Sequence, residues 1–253
     1  MDPLDAAFVL AAGFAAGTVN AVAGGGSLIT FPALIAIGLP PVAANVSNSV
    51  AVFPGYLASV AGSRTDLPPR RSLWPLLPTA VLGSVAGCLL LLATPARAFE
   101  LVVPFLVLAA TAMLAFQGPL RRLVGHPADL APRRRTVSVH AMVAVGTAYG
   151  GYFGAALGVM LVASLALVLD ATLARVVAVK NLLSAVVGLT TVVVFALFGP
   201  VNWAAVAVVA PATLLGGYVG ARLVRRLPPL VLRTLIVVFG TVVGLYLLWR
   251  ALR

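Results

Sequence analysis

Lys180 is the residue of this chain with the most evident capacity for chemistry. It is the single lysine among seventeen basic residues and lies inside a long apolar stretch. An ionisable side chain at membrane depth is costly and by default marks a functional site. Its neighbour Asn181 adds an amide that can donate hydrogen bonds to oxyanion oxygens. The pair predicts a site for a small anionic substrate; the alternative is that Lys180 extends to the cytoplasmic interface and only anchors its helix.

A glycine run at residues 23–27 is the second candidate. No straight helix favours it, because each glycine costs about 1 kcal/mol relative to alanine, and non-helical backbone at membrane depth must line a watery cavity or be buried in protein. If Ser27 caps the next helix, the N–H groups of residues 27–30 are free to hold an anion. Tight helix packing is the alternative role. The residues predicted to bind the substrate here are Gly24, Gly25, Gly26 and Ser27.

The chain matches itself at an offset of 133 residues without an insertion, as Gly17 and Gly150 illustrate. Two apolar copies of one unit are typical of secondary transporters. The offset aligns Ser47 and Asn48 with Lys180 and Asn181, which predicts two pseudo-symmetric polar patches. Polar contacts between helices are the alternative role. The residues predicted to bind substrate in the first copy are Asn45, Ser47 and Asn48.

The composition places the chain in a bilayer, because 62% of its residues are hydrophobic and 9% are charged, against about 25% charged in soluble domains. Apolar stretches of membrane-spanning length predict an all-α polytopic membrane protein with four segments per repeat. The predicted organisation is repeat one at 1–120, a basic cytoplasmic linker at 121–136, and repeat two at 137–253. The eight segments lie near residues 5–38, 41–62, 73–93, 98–117, 137–169, 172–198, 201–221 and 230–249.

The arginine clusters predict that the two repeats are inverted. Clusters at 64–71, 121–135 and 222–233 should all face the cytoplasm. They follow different segments in the two repeats, so all three can face one side only if each repeat crosses the membrane an odd number of times. Residues 5–38 would extend about 51 Å as one helix, too long for a hydrocarbon layer of about 30 Å. We therefore predict that each repeat opens with a broken or re-entrant helix, which leaves Arg250 and Arg253 outside. Eight full crossings would instead leave the 222–226 cluster outside.

Other functional classes find little support. The net charge of +11 comes from arginines in short loops without interleaved aromatic residues, so no nucleic acid partner is expected. An intramembrane enzyme would need a nucleophile with a base or a metal cluster, whereas His126, His140 and Cys88 belong to no such motif. We expect neither a cofactor nor a metal. Glycines four residues apart permit a homodimer without requiring one.

The stretch GFAAGTVNAVAGGGSLITFP at 13–32, followed by GLPP at 38–41 and ANVSN at 44–48, resembles the sulfite exporter TauE/SafE family of membrane permeases. The resemblance covers the whole chain, but the second repeat lacks the glycine run and the proline. It implies transport of small anions, often sulfur oxyanions or organosulfonates such as sulfite or sulfoacetate, across the bacterial cytoplasmic (inner) membrane. With the repeats, it predicts an exporter that works by alternating access; a passive anion channel is the alternative.

Overall fold

The computed structural model describes residues 2–22, 25–116, 132–169, 171–223 and 229–252, and every regular element in those ranges is a helix. The all-α prediction is confirmed for them. The first half contains α1 (Pro3–Val22), α2 (Ser27–Ala36), α3 (Pro41–Gly62), α4 (Arg70–Leu73), α5 (Leu76–Ala93) and α6 (Ala96–Ala115), with a short 3-10 turn at Arg64–Asp66. The second contains α7 (Pro132–Tyr152), α8 (Leu157–Val168), α9 (Leu173–Phe198), α10 (Trp203–Leu223) and α11 (Pro229–Leu252).

The first apolar stretch of each half is divided into two helices. In the first half the interruption falls between Val22 and Ser27, at the glycine run, and in the second it falls between Tyr152 and Leu157. Gly154 and Ala156 have φ angles of 72° and 56° there, which lie in the left-handed region and cannot continue a right-handed helix. Residues 117–131, which include most of the linker predicted at 121–136, lie outside the described residues, as do Gly24 and the arginines at 225, 226 and 253.

At both interruptions the chain folds back on itself. A Cβ added to Gly26 would lie 2.2 Å from the carbonyl oxygen of Ala16, although ten residues of continuous helix would separate the two by about 15 Å. In the second half, the Leu161 side chain of α8 lies against Gly146 of α7. We call α1 with α2 the first hairpin and α7 with α8 the second hairpin.

Close helix contacts join the two halves of the chain, with α1 packed on α10 and α5 packed on α7. A Cβ added to Gly17 would lie 2.2 Å from the Thr213 carbonyl oxygen, and one added to Gly87 would lie 2.0 Å from that of Ala148. Only glycine permits such approach of two helix backbones. Because glycines four apart are used inside the chain, any homodimer would need a different surface.

Helix directions define two ends of the bundle. Ser47 near the start of α3 accepts a hydrogen bond from the N–H of Asn202, which follows α9, and Asn181 near the start of α9 donates to Ser63, which follows α3. The helices α3 and α9 are therefore antiparallel. One end, the Arg64 end, carries the exposed loop at 64–71. The opposite end carries the start of α3 together with Arg97 and Arg250, which line one small cavity.

The outer surface of the bundle is apolar. Leu82, Leu197, Leu215 and Val242 are all more than half exposed, and contiguous apolar surface of this kind suits a lipid environment. By length and composition, three helices in the described ranges can cross a bilayer, at 3–20, 70–93 and 174–198. This is fewer than the eight membrane segments predicted. The helix α3 is not among the three, because polar residues near its start lower its mean hydropathy.

Candidate functional site

The two hairpins meet at a small cavity halfway along α3 and α9. Phe31 of the first hairpin packs edge-on against Phe153 at the tip of the second, with ring centroids 5.2 Å apart. Ser27 and Gly154 line the cavity from the two hairpin tips. We call it the central cavity. Its lining residues are Ser27, Ser49, Val52, Tyr56, Gly150, Phe153, Gly154, Leu157, Val187, Gly188 and Thr191.

The central cavity is narrow and has room for about one water molecule. The volume open to the centre of a water-sized sphere is about 10 Å³, close to the minimum that holds a single water. Its polar groups are hydroxyls, and those of Ser27 and Tyr56 interact with each other. Hydroxyls rotate to donate or accept, so the cavity suits the oxygens of a small anion, but only after the hairpins move apart.

At the first hairpin tip, Gly25, Gly26 and Ser27 are buried, as a site requires, but the predicted cap is wrong. The residue before α2 is Gly26, and no side chain caps the helix. The N–H groups of Leu28 and Ile29 donate to the carbonyls of Gly25 and Gly26, at 3.0 and 2.9 Å, and the N–H of Thr30 also donates to Gly26. The flexible glycine backbone turns tightly enough to satisfy these donors itself, so they are not free for an anion.

A first polar cluster lies at the start of α3 and ties three elements together. The Asn45 amide donates to the carbonyl of Tyr152 at 2.9 Å, and the Asn48 side-chain oxygen accepts from the hydroxyl of Thr30. Ser47 accepts from the N–H that follows α9 at 2.8 Å. These bonds hold α3 to both hairpins and to α10. The side-chain oxygen of Asn45 is buried without a hydrogen-bond partner.

A second polar cluster lies at the Arg64 end of the α3–α9 pair. The Asn181 amide donates to the Ser63 hydroxyl at 2.9 Å and to the Ser59 carbonyl at 3.3 Å. Lys180 is only 7% exposed, and within the described part of the chain no hydrogen bond or ion pair involves its ammonium. The hydroxyl of Ser184, one helical turn further along, is also buried without a partner.

The structure therefore separates the residues that the sequence grouped. Asn45 and Ser59 are fourteen residues apart in α3, which corresponds to about 21 Å, so the two polar clusters cannot contact one small ion together. The central cavity lies between them. Sequence reasoning missed Tyr56 and Thr191 of this cavity. Their spacing of seven from Ser49 and Ser184 on the same helices was the available signal.

Comparison with known proteins gives a consistent family. The family model described as "Sulfite exporter TauE/SafE" matches residues 9–247. A "Probable membrane transporter protein" of Haemophilus influenzae is 28% identical, with 92% of this chain and 91% of that protein covered. "Probable membrane transporter protein YfcA" of Escherichia coli is 28% identical over 92% of this chain and 86% of its own. No solved structure matches the chain.

Proposed function

Because the chain belongs to the sulfite exporter TauE/SafE family, whose matched members are described as membrane transporters, we propose that it exports small anions. The observation that carries the proposal is the meeting of two hairpin tips at a narrow, hydroxyl-lined cavity halfway along α3 and α9. Interrupted helices at the bilayer midplane form the substrate sites of many secondary transporters. The proposed substrates are sulfur oxyanions or organosulfonates, such as sulfite or sulfoacetate, and the proposed membrane is the bacterial cytoplasmic membrane.

Equivalent packing in the two halves supports an inverted repeat. Gly216 of α10 lies against the backbone of Phe14, and Gly83 of α5 lies against Thr147. These two contacts are equivalent under the repeat, because 83 plus 133 is 216 and 14 plus 133 is 147. The offset of 133 also relates α3 to α9 and α5 to α10. The packed pair α3–α10 is therefore equivalent to the packed pair α9–α5. Such an exchange is what a pseudo-twofold axis between the halves produces.

Helix directions support three crossings and one re-entrant hairpin in each half. Positions 13 and 17 of α1 meet positions 209–212 and 213–217 of α10, so α1 runs parallel to α10 and α2 runs back. Because α10 starts beside the start of α3, its last turn, with Arg222, lies at the Arg64 end of the bundle. Arg250 falls at the opposite end, as the odd-crossing scheme requires.

The central cavity has room for about one water molecule, and a passage this narrow favours a carrier over a permanently open channel. We infer that the hairpins part toward one end of the bundle at a time, which is alternating access. A monoanion needs no coupling ion to leave the cell, because a potential of about 100 mV, negative inside, favours its outward movement by roughly 2.3 kcal/mol.

Flux in proteoliposomes tests this function. Purified protein in vesicles should carry at least one of sulfite, sulfoacetate and thiosulfate into the compartment made electrically positive, with saturable kinetics and with acceleration by the same anion on the opposite side. Protein-free vesicles give the leak rate. Non-saturable flux without that acceleration would indicate the channel alternative, and flux of none of the three anions would reject the proposed substrate class.

A further inference from the structure

We propose that Lys180 and Ser184, beside Asn181, form a second anion subsite at the Arg64 end of α9, distinct from the central cavity, through which a small oxyanion reaches that cavity from the cytoplasm. The inference rests on the proposed function, since it divides the path of the transported anion into two steps. We call this group the inner subsite. Its ligand class is a compact oxyanion with one or two negative charges.

Helical geometry connects Lys180 to the central cavity. Lys180, Ser184, Val187 and Thr191 follow one another at spacings of four, three and four, and residues so spaced share one face of a helix. The last two line the central cavity. Because Lys180 and Val187 are seven residues apart, about 10 Å of helix separates the lysine from the cavity wall. One face of α9 therefore connects the two sites.

Two buried polar side chains of the inner subsite lack a partner among the described residues. Lys180 is 7% exposed and Ser184 is 1% exposed, and in the described ranges neither side chain has a hydrogen-bond or ionic partner. Burying an unpaired charge is strongly unfavourable. A bound anion would supply the missing counter-charge and would accept hydrogen bonds from both groups.

The surroundings of the inner subsite suit an anion. Ser59 and Ser63 of the α3 end meet Asn181 there. The adjoining loop exposes Arg64, Arg70 and Arg71, which raise the local concentration of anions. The carboxylate of Asp66 is in the same loop, exposed, and forms no ion pair with Lys180.

The subsite has no charged counterpart at the opposite end. Ser47 occupies the position equivalent to Lys180, since 47 plus 133 gives 180, and its oxygen already accepts the N–H of Asn202. At these two equivalent positions an anion would therefore meet a cation on the cytoplasmic side and a neutral hydroxyl on the far side, where Arg97 and Arg250 line a separate cavity. This difference favours capture inside and release outside.

Charge-selective labelling of a cysteine tests the inner subsite without relying on transport. In a Cys88→Ala background, Ser184→Cys is treated with anionic sulfonatoethyl methanethiosulfonate or with its cationic trimethylammonium analogue. Lys180, one helical turn away, should favour the anionic reagent. The ratio of anionic to cationic rates should fall at least about tenfold in Lys180→Gln. Sulfate, which does not react with the reagents, should slow labelling only when Lys180 is present.

Controls make each outcome decisive. Ser63→Cys, which is partly exposed at the mouth, reports reagent access, and Asn181→Cys is a second reporter if Ser184→Cys does not accumulate. Two outcomes would overturn the inner subsite while leaving the proposed transport intact. In one, only Ser63→Cys is labelled and the cysteines at 184 and 181 are not; in the other, Lys180→Gln leaves the ratio of anionic to cationic labelling rates unchanged. If the labelling rates show the expected preference for the anionic reagent but the protein transports no anion in proteoliposomes, the subsite is supported and the proposed function is rejected.

Discussion

Lys180→Gln is expected to lower anion flux at sub-saturating concentration by at least about thirtyfold, because removing one partner of a buried, hydrogen-bonded charge pair typically costs about 2–5 kcal/mol. Lys180 is 7% exposed and is the one cation among the residues assigned to the inner subsite, so no other member of the subsite replaces its charge. The measurement is initial flux in proteoliposomes over a range of substrate concentrations. The main change should be a higher concentration for half-maximal flux.

Three comparisons separate this effect from misfolding. Lys180→Gln should melt no lower than wild type, since it removes an unpaired buried charge. Lys180→Arg keeps the charge and should retain part of the flux. Arg250→Gln removes an exposed cation at the opposite end of the bundle and should change flux less than about twofold, within the usual range for an exposed charge. Wild-type flux in Lys180→Gln would show that the lysine is structural.

Gly26→Ala is expected to unfold the first hairpin. The added methyl group would lie 2.2 Å from the carbonyl oxygen of Ala16 and 2.8 Å from side-chain atoms of Asn20. Asn20 can move, but the carbonyl oxygen belongs to the backbone of α1, so the hairpin itself must open. Overpacking of this kind costs about 1–3 kcal/mol or more, and the hydrogen bond from the Gly26 N–H to Asn20 would also be strained. The melting temperature of detergent-purified protein should fall markedly, and flux should be lost.

Gly62→Ala is the matched control. Gly62 ends α3, and a Cβ added there meets no atom within 4 Å. Alanine is the better helix former by about 1 kcal/mol, so this variant should melt at or above the wild-type temperature. Equal melting of the two variants would mean that the close approach of Gly26 to α1 does not stabilise the protein.

Local features of the fold could be predicted from the sequence. The interruption at 23–27 follows from a glycine run inside an apolar stretch too long for one crossing, and both causes are visible in consecutive residues. The cap assigned to Ser27 was predicted incorrectly. Whether it or Gly26 precedes the helix depends on how the chain folds back on α1, and that contact joins residues ten apart.

The arrangement of the site could not be predicted for a different reason. An offset identifies equivalent residues, such as Asn48 and Asn181, but it does not say whether they are close. Because α3 and α9 are antiparallel, equivalent positions near their starts lie at opposite ends of the pair. Only the middle of α3 lies beside the middle of α9. Tyr56 and Thr191 lie there, but neither charge nor a nearby glycine run marked them in the sequence as site residues.

In the proposed mechanism, the two hairpin tips must part for an anion to pass. Ser27→Cys and Leu157→Cys place one thiol on each hairpin at the central cavity, in a Cys88→Ala background. Joining them with a short, reducible bifunctional thiol reagent should abolish flux, and reductant should restore it. The same reagent on each single variant measures the effect of modification without a cross-link, and the cross-link should lower flux beyond that effect. Undiminished flux through the cross-linked protein would contradict the claim.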